Sequence, residues 1–410
     1  MMAAVRAAEK ARTEKREGEV SVLIIEKNDT LGKKLLITGG GRCNVTNGEL
    51  DTRTFLSKFK DSDKFLFSAF SQYGVQETLD FFHSHKMPTK EEAFKRVFPA
   101  SNTAQSVLDV LVAGIKENGV TVFSDTTVLT FNETPDTKKI LSITVRSKGK
   151  SSQEIFGKSF ILATGGKSRP DTGSTGDGFA WLKKLGHTVT EPTAALVPVT
   201  IKDAWIKKLA GITLTETKIT ILQNDEKQLV KKGRLLFTHI GLSGPTILNM
   251  SKDIGELLKY DTVTLSLDLL PSHDFSTLNI ALQELFKKEH LKQFKNSLDS
   301  LIPAAVASII VEKSKIPPET RCNSITREQR IALMNLLKDV RMEVKGLLGA
   351  DKAIVTSGGV ALNEIDFKTM RSRIVPNLFV IGDMLDIDRP SGGYSLQLCW
   401  TTGYVAGNNA

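Results

Sequence analysis

Three consecutive glycines, Gly39 to Gly41, followed by Arg42, Cys43 and Asn44, form the segment of this 410-residue sequence best suited to holding a ligand. A glycine run is poor material for a helix or strand, because each glycine loses backbone entropy and offers nothing to pack. It suits a place where backbone must come close to another molecule. Arg42 carries a planar fork that matches a pyrophosphate or a ring carbonyl, and Asn44 can donate and accept at once. Upstream, residues 20–25 (VSVLII) read as a buried strand ending in Glu26. A carboxylate at the carboxyl end of such a strand can accept both hydroxyls of an adenosine ribose and repels a 2′-phosphate. Near the other terminus, residues 378–381 (LFVI) read as a strand with Gly382-Asp383 at its end. Ser391-Gly392-Gly393-Tyr394 then opens a helix that begins at Ser395. Its bare N–H groups and positive end would face an anionic group.

The elements that must position these residues follow a known order. A dinucleotide-binding unit runs strand, glycine-rich turn, helix, strand, acidic residue. Residues 1–11 read as a helix of small residues, residues 12–19 as a charged turn, and residues 20–26 as the strand and its acid. The last three pieces are therefore present, while the first strand and its GxGxxG turn are missing. The acid belongs about 20 residues past the glycine fingerprint. Counting back from Glu26 places that fingerprint just before Met1, so the N-terminus reads as truncated. Residues 158–165 (KSFILATG) read as a strand ending in Thr164-Gly165, and residues 173–178 (GSTGDG) as a turn into a helix over 179–185. From about 192 to 270 the apolar residues alternate in short runs, the pattern of an antiparallel sheet or barrel. From 276 to 348 they take helical spacing. The expected class is α/β, a discontinuous Rossmann-like domain over 1–190 and 351–410. Inside it sit a β-rich insertion, 191–272, and a helical insertion, 273–350.

On several long stretches the sequence resembles the HI0933-like family of FAD-dependent oxidoreductases, which includes aminoacetone oxidase and bile-acid-reducing flavoenzymes. The stretches are GKKLLITGGGRCNVTN (32–47), KRVFPASNTAQSVLDVL (95–111), ATGG (163–166), TGDGFAWLKKLGH (175–187), LLFTHIGLSGP (235–245), VTSGGVALNEID (355–366) and VIGDMLDIDRPSGGYSLQLCWTTGYVAG (380–407). The resemblance implies FAD as cofactor and hydride transfer between a small organic substrate and flavin N5. NAD(P)H or oxygen would be the other partner. It places Glu26 on the adenosine ribose and Gly40, Gly41, Arg42, Cys43 and Asn44 along the pyrophosphate and flavin. It also places Thr164 and Gly165 in close approach, Asp383 on a ribityl hydroxyl, and Gly393, Tyr394 and Ser395 at the pyrimidine end. Lys27, Lys34 and Val128 are carried to the cofactor in the same way.

Composition bounds the rest. Lys and Arg number 55 against 46 Asp and Glu, a net charge of +9. The basic residues are scattered and aromatics are 7% of the chain, which argues against a nucleic-acid face. No apolar run approaches the roughly 18 residues of a membrane span. Three distant cysteines make neither a zinc cluster nor a disulfide framework, and point to a reducing, cytoplasmic setting. The chain has no G-x-S-x-G elbow and no HExxH, so a hydrolase is rejected. Of six histidines, His239 is the candidate for acid–base work, because a glycine-rich loop follows it. Ser243 and Tyr394 rank below it. The substrate is expected between insertion and flavin. Two other readings stay open: an RNA-acting flavoprotein, suggested by the basic pI of 9.2, and an inactive truncated flavoprotein that binds FAD weakly.

Overall fold

In a computed structural model the protein is described at residues 1–410 except 17, 135, 350–352 and 354. The chain divides into two compact units, Met1–Ala195 with Ala350–Ala410, and Leu196–Gly349.

In the first unit the opening helix, Met2–Thr13, buries Met2, Ala3, Ala4, Val5 and Ala11. Small side chains there let it lie close against the last helix, Tyr394–Asn409. At Gly407 a Cβ would overlap the backbone carbonyl of Ala3, so the approach needs glycine. The strand expected over 20–25 is confined to Leu23–Ile25, because its parallel partner, Thr121–Phe123, begins opposite Leu23. A second parallel pair joins Phe160–Leu162 to Leu378–Val380, the latter wholly buried. The helix Ala104–Glu117 covers the first pair through Ile115, which packs with Ala4, Val5 and Val120. These pairs and their helices make the α/β, Rossmann-type arrangement expected from the sequence. Antiparallel additions surround them. Thr46–Asn47, Arg96–Pro99 and Thr89–Glu92 form one three-stranded sheet, and Thr126–Glu133, Ile140–Ser147 and Ser152–Phe156 another.

The second unit is a closed six-stranded barrel with its helices packed in the same core. Strand order around it is Val199–Ile201, Gly241–Ser243, Glu226–Thr238, Thr213–Gln223, Thr264–Asp268 and Val340–Leu347. Ile219, Leu235 and Leu265 of the barrel share one apolar cluster with Leu282, Ile310 and Leu333 of the helices. The borders expected at 190 and at 272 therefore differ from those found. Val189–Ala195 pairs with Val355–Val360 in the first unit. The barrel also needs Val340–Leu347, which follows the helices, to close between Val199–Ile201 and Thr264–Asp268. No helix among the described residues is long and apolar enough to cross a membrane.

A buried polar chain staples the first unit beyond the sheet. His187 Nδ1 meets Glu364 Oε2 at 2.9 Å, and its Nε2 meets Ser372 Oγ at 2.9 Å. Burial pulls the imidazole pKa below its ordinary value, and Glu364 only partly opposes this. The folded protein thus holds His187 neutral, whereas the unfolded chain takes up a proton near pH 6.5. The stability tied to neutral His187 is complete above that pH and is lost as pH falls below it. The slope is at most about 1.4 kcal/mol per pH unit for one proton. Urea midpoints measured from pH 8 to 5.5 should fall less steeply in His187→Gln than in the parent. Equal slopes would remove His187 as the source.

Candidate functional site

The carboxyl end of Leu378–Val380 turns sharply at Gly382, whose φ is +62°, and presents Asp383. A carboxylate here leaves water, with a side-chain exposure of 12%. Burial pushes its pKa up, but the neighbouring Arg389 and Lys34 cations outweigh that and hold it below the usual carboxylate range. Arg389 Nη2 donates to Asp383 Oδ1, and Lys34 Nζ stands 3.6 Å from Oδ2. The guanidinium, 1% exposed, also donates from Nε to Ser395 Oγ at 3.1 Å and from Nη1 to the Ile387 carbonyl at 2.7 Å. Lys34 Nζ reaches Ser168 Oγ at 2.9 Å and the Ser168 carbonyl at 3.3 Å. Beside them burial pushes the Cys399 thiol up to about 12, so it is no thiolate.

Glu26 stands at the carboxyl end of Leu23–Ile25. Its Oε1 accepts from the Asn28 N–H at 2.8 Å and from Asn28 Nδ2 at 2.9 Å. Thr164 and Gly165 follow Phe160–Leu162 with Thr164 exposed and Gly165 at φ +74°. Thr164 Oγ1 donates to Met384 Sδ at 3.1 Å, and Gly178 leaves room for both side chains. Lys27 does not point to open space. Its Nζ donates at 2.7 Å to Thr175 Oγ1 and at 2.7 Å to Asp177 Oδ2, both in the GSTGDG turn.

The glycine run adopts three successive left-handed conformations, with φ of +56°, +69° and +85° at Gly39, Gly40 and Gly41. A Cβ at Gly40 would meet nothing within 4 Å, so this backbone faces open space. Arg42 is turned otherwise than expected. Its guanidinium pairs with Glu92 and Asn102 and lies 4.1 Å over the Phe98 ring. With those partners it serves the sheet rather than offering a free fork. Cys43 is buried, its thiol pushed up to about 11. The Asn44 carboxamide, oriented to satisfy both its ends, donates to the carbonyls of Thr46 and Val97 and accepts from the Gly393 N–H at 2.9 Å. That bond uses one of the donors expected to face a ligand at the last helix. Tyr394 also differs from expectation: its ring packs 4.7 Å from Phe55 and 5.9 Å from Phe59, inside an aromatic cluster. Aromatic burial outweighs exposure there. Val128 is half-buried and paired with Val145. His239 lies exposed in the short turn after Glu226–Thr238, in the second unit. Among the described residues no side chain hydrogen-bonds its ring.

The structure thus brings Lys34, Asp383 and Ser395 together, and adds Arg389 and Ser168, which sequence reasoning missed. A signal existed for Arg389, a lone basic residue six positions after Asp383 in an otherwise apolar and acidic stretch. None existed for Ser168, whose role depends on a fold contact 134 residues from Lys34. The donor set suits FAD: carboxylates at the ends of two parallel strands match its ribose and ribityl hydroxyls, and the open left-handed glycine backbone can approach phosphate.

A family model described as HI0933-like protein Rossmann domain matches residues 1–409. The chain is 29% identical to the 3-dehydro-bile acid delta(4,6)-reductase of Clostridium scindens over 395 residues, 96% of this chain and 93% of that protein. It is 30% identical to the ribosomal RNA dihydrouridine synthase of Escherichia coli over 388 residues, 94% and 90% of the two chains. Among solved structures, 3-ketosteroid delta1-dehydrogenase from Sterolibacterium denitrificans superposes with a TM-score of 0.53 at 11% identity, covering 99% of this chain and 96% of that one. At that identity the likeness speaks for the fold alone.

Proposed function

The chain belongs to the HI0933-like family of Rossmann-domain, flavin-dependent oxidoreductases, and on that premise we propose that it is a FAD-dependent reductase of carbon–carbon double bonds conjugated to a carbonyl. The observation that carries its FAD part is Asp383, a carboxylate 12% exposed at the end of a parallel strand and paired with Arg389. The reaction class comes from what the two relatives' names share. A 3-keto steroid with double bonds at positions 4 and 6 and a uracil ring are both conjugated to a carbonyl. Each becomes its product by gaining a hydride and a proton across a ring double bond. When bound and reduced by NAD(P)H, the proposed electron source, FAD would supply the hydride, and the proton would come from water. The chain's own residues bind and orient. Glu26 accepts the ribose hydroxyls, Asp383 accepts a ribityl hydroxyl, and the Gly39 to Gly41 backbone approaches the pyrophosphate. Lys34 brings a positive charge beside Asp383, and the exposed Thr164 lets the flavin lie close to the chain.

The substrate is proposed to be a small planar enone. Action on RNA is the second reading, favoured by the likeness to the Escherichia coli synthase over 94% of the chain and by the net charge of +9. The visible spectrum of the purified protein tests the premise. A yellow protein that bleaches on anaerobic NADPH and recovers its colour with a 3-keto-4,6-diene steroid is the expected result. Recovery only with a uracil-containing ribosomal RNA fragment would select the second reading. A colourless protein that takes up no added FAD would overturn both.

A further inference from the structure

Arg389 has a more specific task than closing a loop. A guanidinium that is 1% exposed has left water almost completely, at a desolvation cost of several kcal/mol that a well-packed apolar side chain would avoid. Its bonds are distributed across the site: Asp383 beyond Leu378–Val380, the Ile387 carbonyl in the connecting segment, and Ser395 in the first turn of the last helix. The connecting segment is held separately by Asp388 on Ser357 at 2.8 Å, so it has another anchor. Arg389 and Lys34 together bring two positive charges against the single carboxylate of Asp383. The Arg389–Asp383 pair is desolvated, and the part-exposed Lys34 adds a second positive charge beside it, at the two elements assigned to the flavin.

We propose that Arg389 is a positioning residue for the flavin: it fixes Asp383 and the first turn of the last helix in one arrangement and holds a desolvated positive charge beside the ring that gains negative charge on reduction. This rests on the flavin reading above. Two variants separate its parts. In Arg389→Met, FAD titrated into the apoprotein should bind about tenfold more weakly or worse, the loss expected for charge-assisted bonds. The midpoint potential of the flavin that still binds should move to a more negative value. In Arg389→Lys the potential should return towards that of the parent while affinity stays reduced, because an ammonium cannot reproduce the three-way fork. A lowered melting temperature with affinity and potential both unchanged would reduce Arg389 to a structural clamp and overturn the proposal. Weaker binding with an unchanged potential would overturn the electrostatic half. Should the Met variant fail to fold, Arg389→Gln keeps a polar side chain of similar reach but loses the charge and the three-way fork. Its FAD affinity should fall several-fold, and an unchanged value would overturn the positioning half. If the parent itself binds no FAD, the flavin reading fails instead, and the two failures are distinct.

Discussion

Replacing Asp383 with alanine is expected to weaken FAD binding by about 1–3 kcal/mol, the usual range for a charged hydrogen bond, or roughly five- to 150-fold in dissociation constant. A second effect should accompany it. The carboxylate is the anionic partner of Arg389, and removing it strands a buried guanidinium. Breaking one side of a buried pair typically costs about 3–5 kcal/mol. The apoprotein should therefore unfold at clearly lower urea as well. Lys34, 28% exposed and already bonded to Ser168, cannot compensate, since it adds a like charge. Asp383→Asn keeps the shape and a hydrogen-bond acceptor but loses the charge, and should fall between parent and Ala in both measurements. Flavin affinity unchanged in Asp383→Ala would remove this residue from the cofactor site, whatever happened to stability.

Gly393→Ala is expected to be more damaging still to the fold. The residue holds φ +103°, a region L side chains rarely adopt. Its Cβ would also lie inside contact distance of the Thr46 carbonyl group and the Asn47 nitrogen. Those atoms are backbone of the short strand Thr46–Asn47, so no side chain can swing aside. The segment before the last helix would have to move, which would break the Asn44 bond to the Gly393 N–H and the Asn47 Nδ2 bond to the Gly392 carbonyl. Strain and overpacking of this kind cost about 3 kcal/mol or more together. Gly40→Ala makes a matched control, left-handed as well but with open space around its Cβ. Only the conformational penalty of about 1–2 kcal/mol applies there. Similar melting temperatures for the two variants would sink the steric account.

Much of the frame was legible because its signals are local. The acid after Leu23–Ile25, the Gly382-Asp383 pair after Leu378–Val380, and the helix after two glycines each declare themselves within a few residues. Alternation also announced the barrel, as in Val340–Leu347, whose residues alternate between buried and more exposed. What stayed hidden depends on partners distant in sequence. The direction of Arg42 is decided by Glu92 and Asn102, 50 and 60 residues away. Lys27 is claimed by Asp177 at a separation of 150. The partners of His187 are as remote, Glu364 177 residues on and Ser372 185 on. Tyr394 misled for a different reason. Following two glycines it read as a ligand contact, yet Phe55 and Phe59 offered its ring a better place. The helical insertion looked separate because its periodicity changes abruptly, although its apolar stripes fill the same core as the barrel.

The barrel unit has one further property, which follows from its seam. Val199 lies opposite Leu347, and the Leu348 N–H donates to the Pro198 carbonyl at 3.1 Å. The chain therefore enters and leaves this unit through adjoining residues. In the other unit the flanking strands are likewise partners, Ala195 opposite Val355. Such a segment behaves as a cassette. Excising it at the seam with a short linker is expected to leave the parallel strands in register. Its closing strands must meet across nearly the whole segment, so the seam should be among the last features to form when the chain folds.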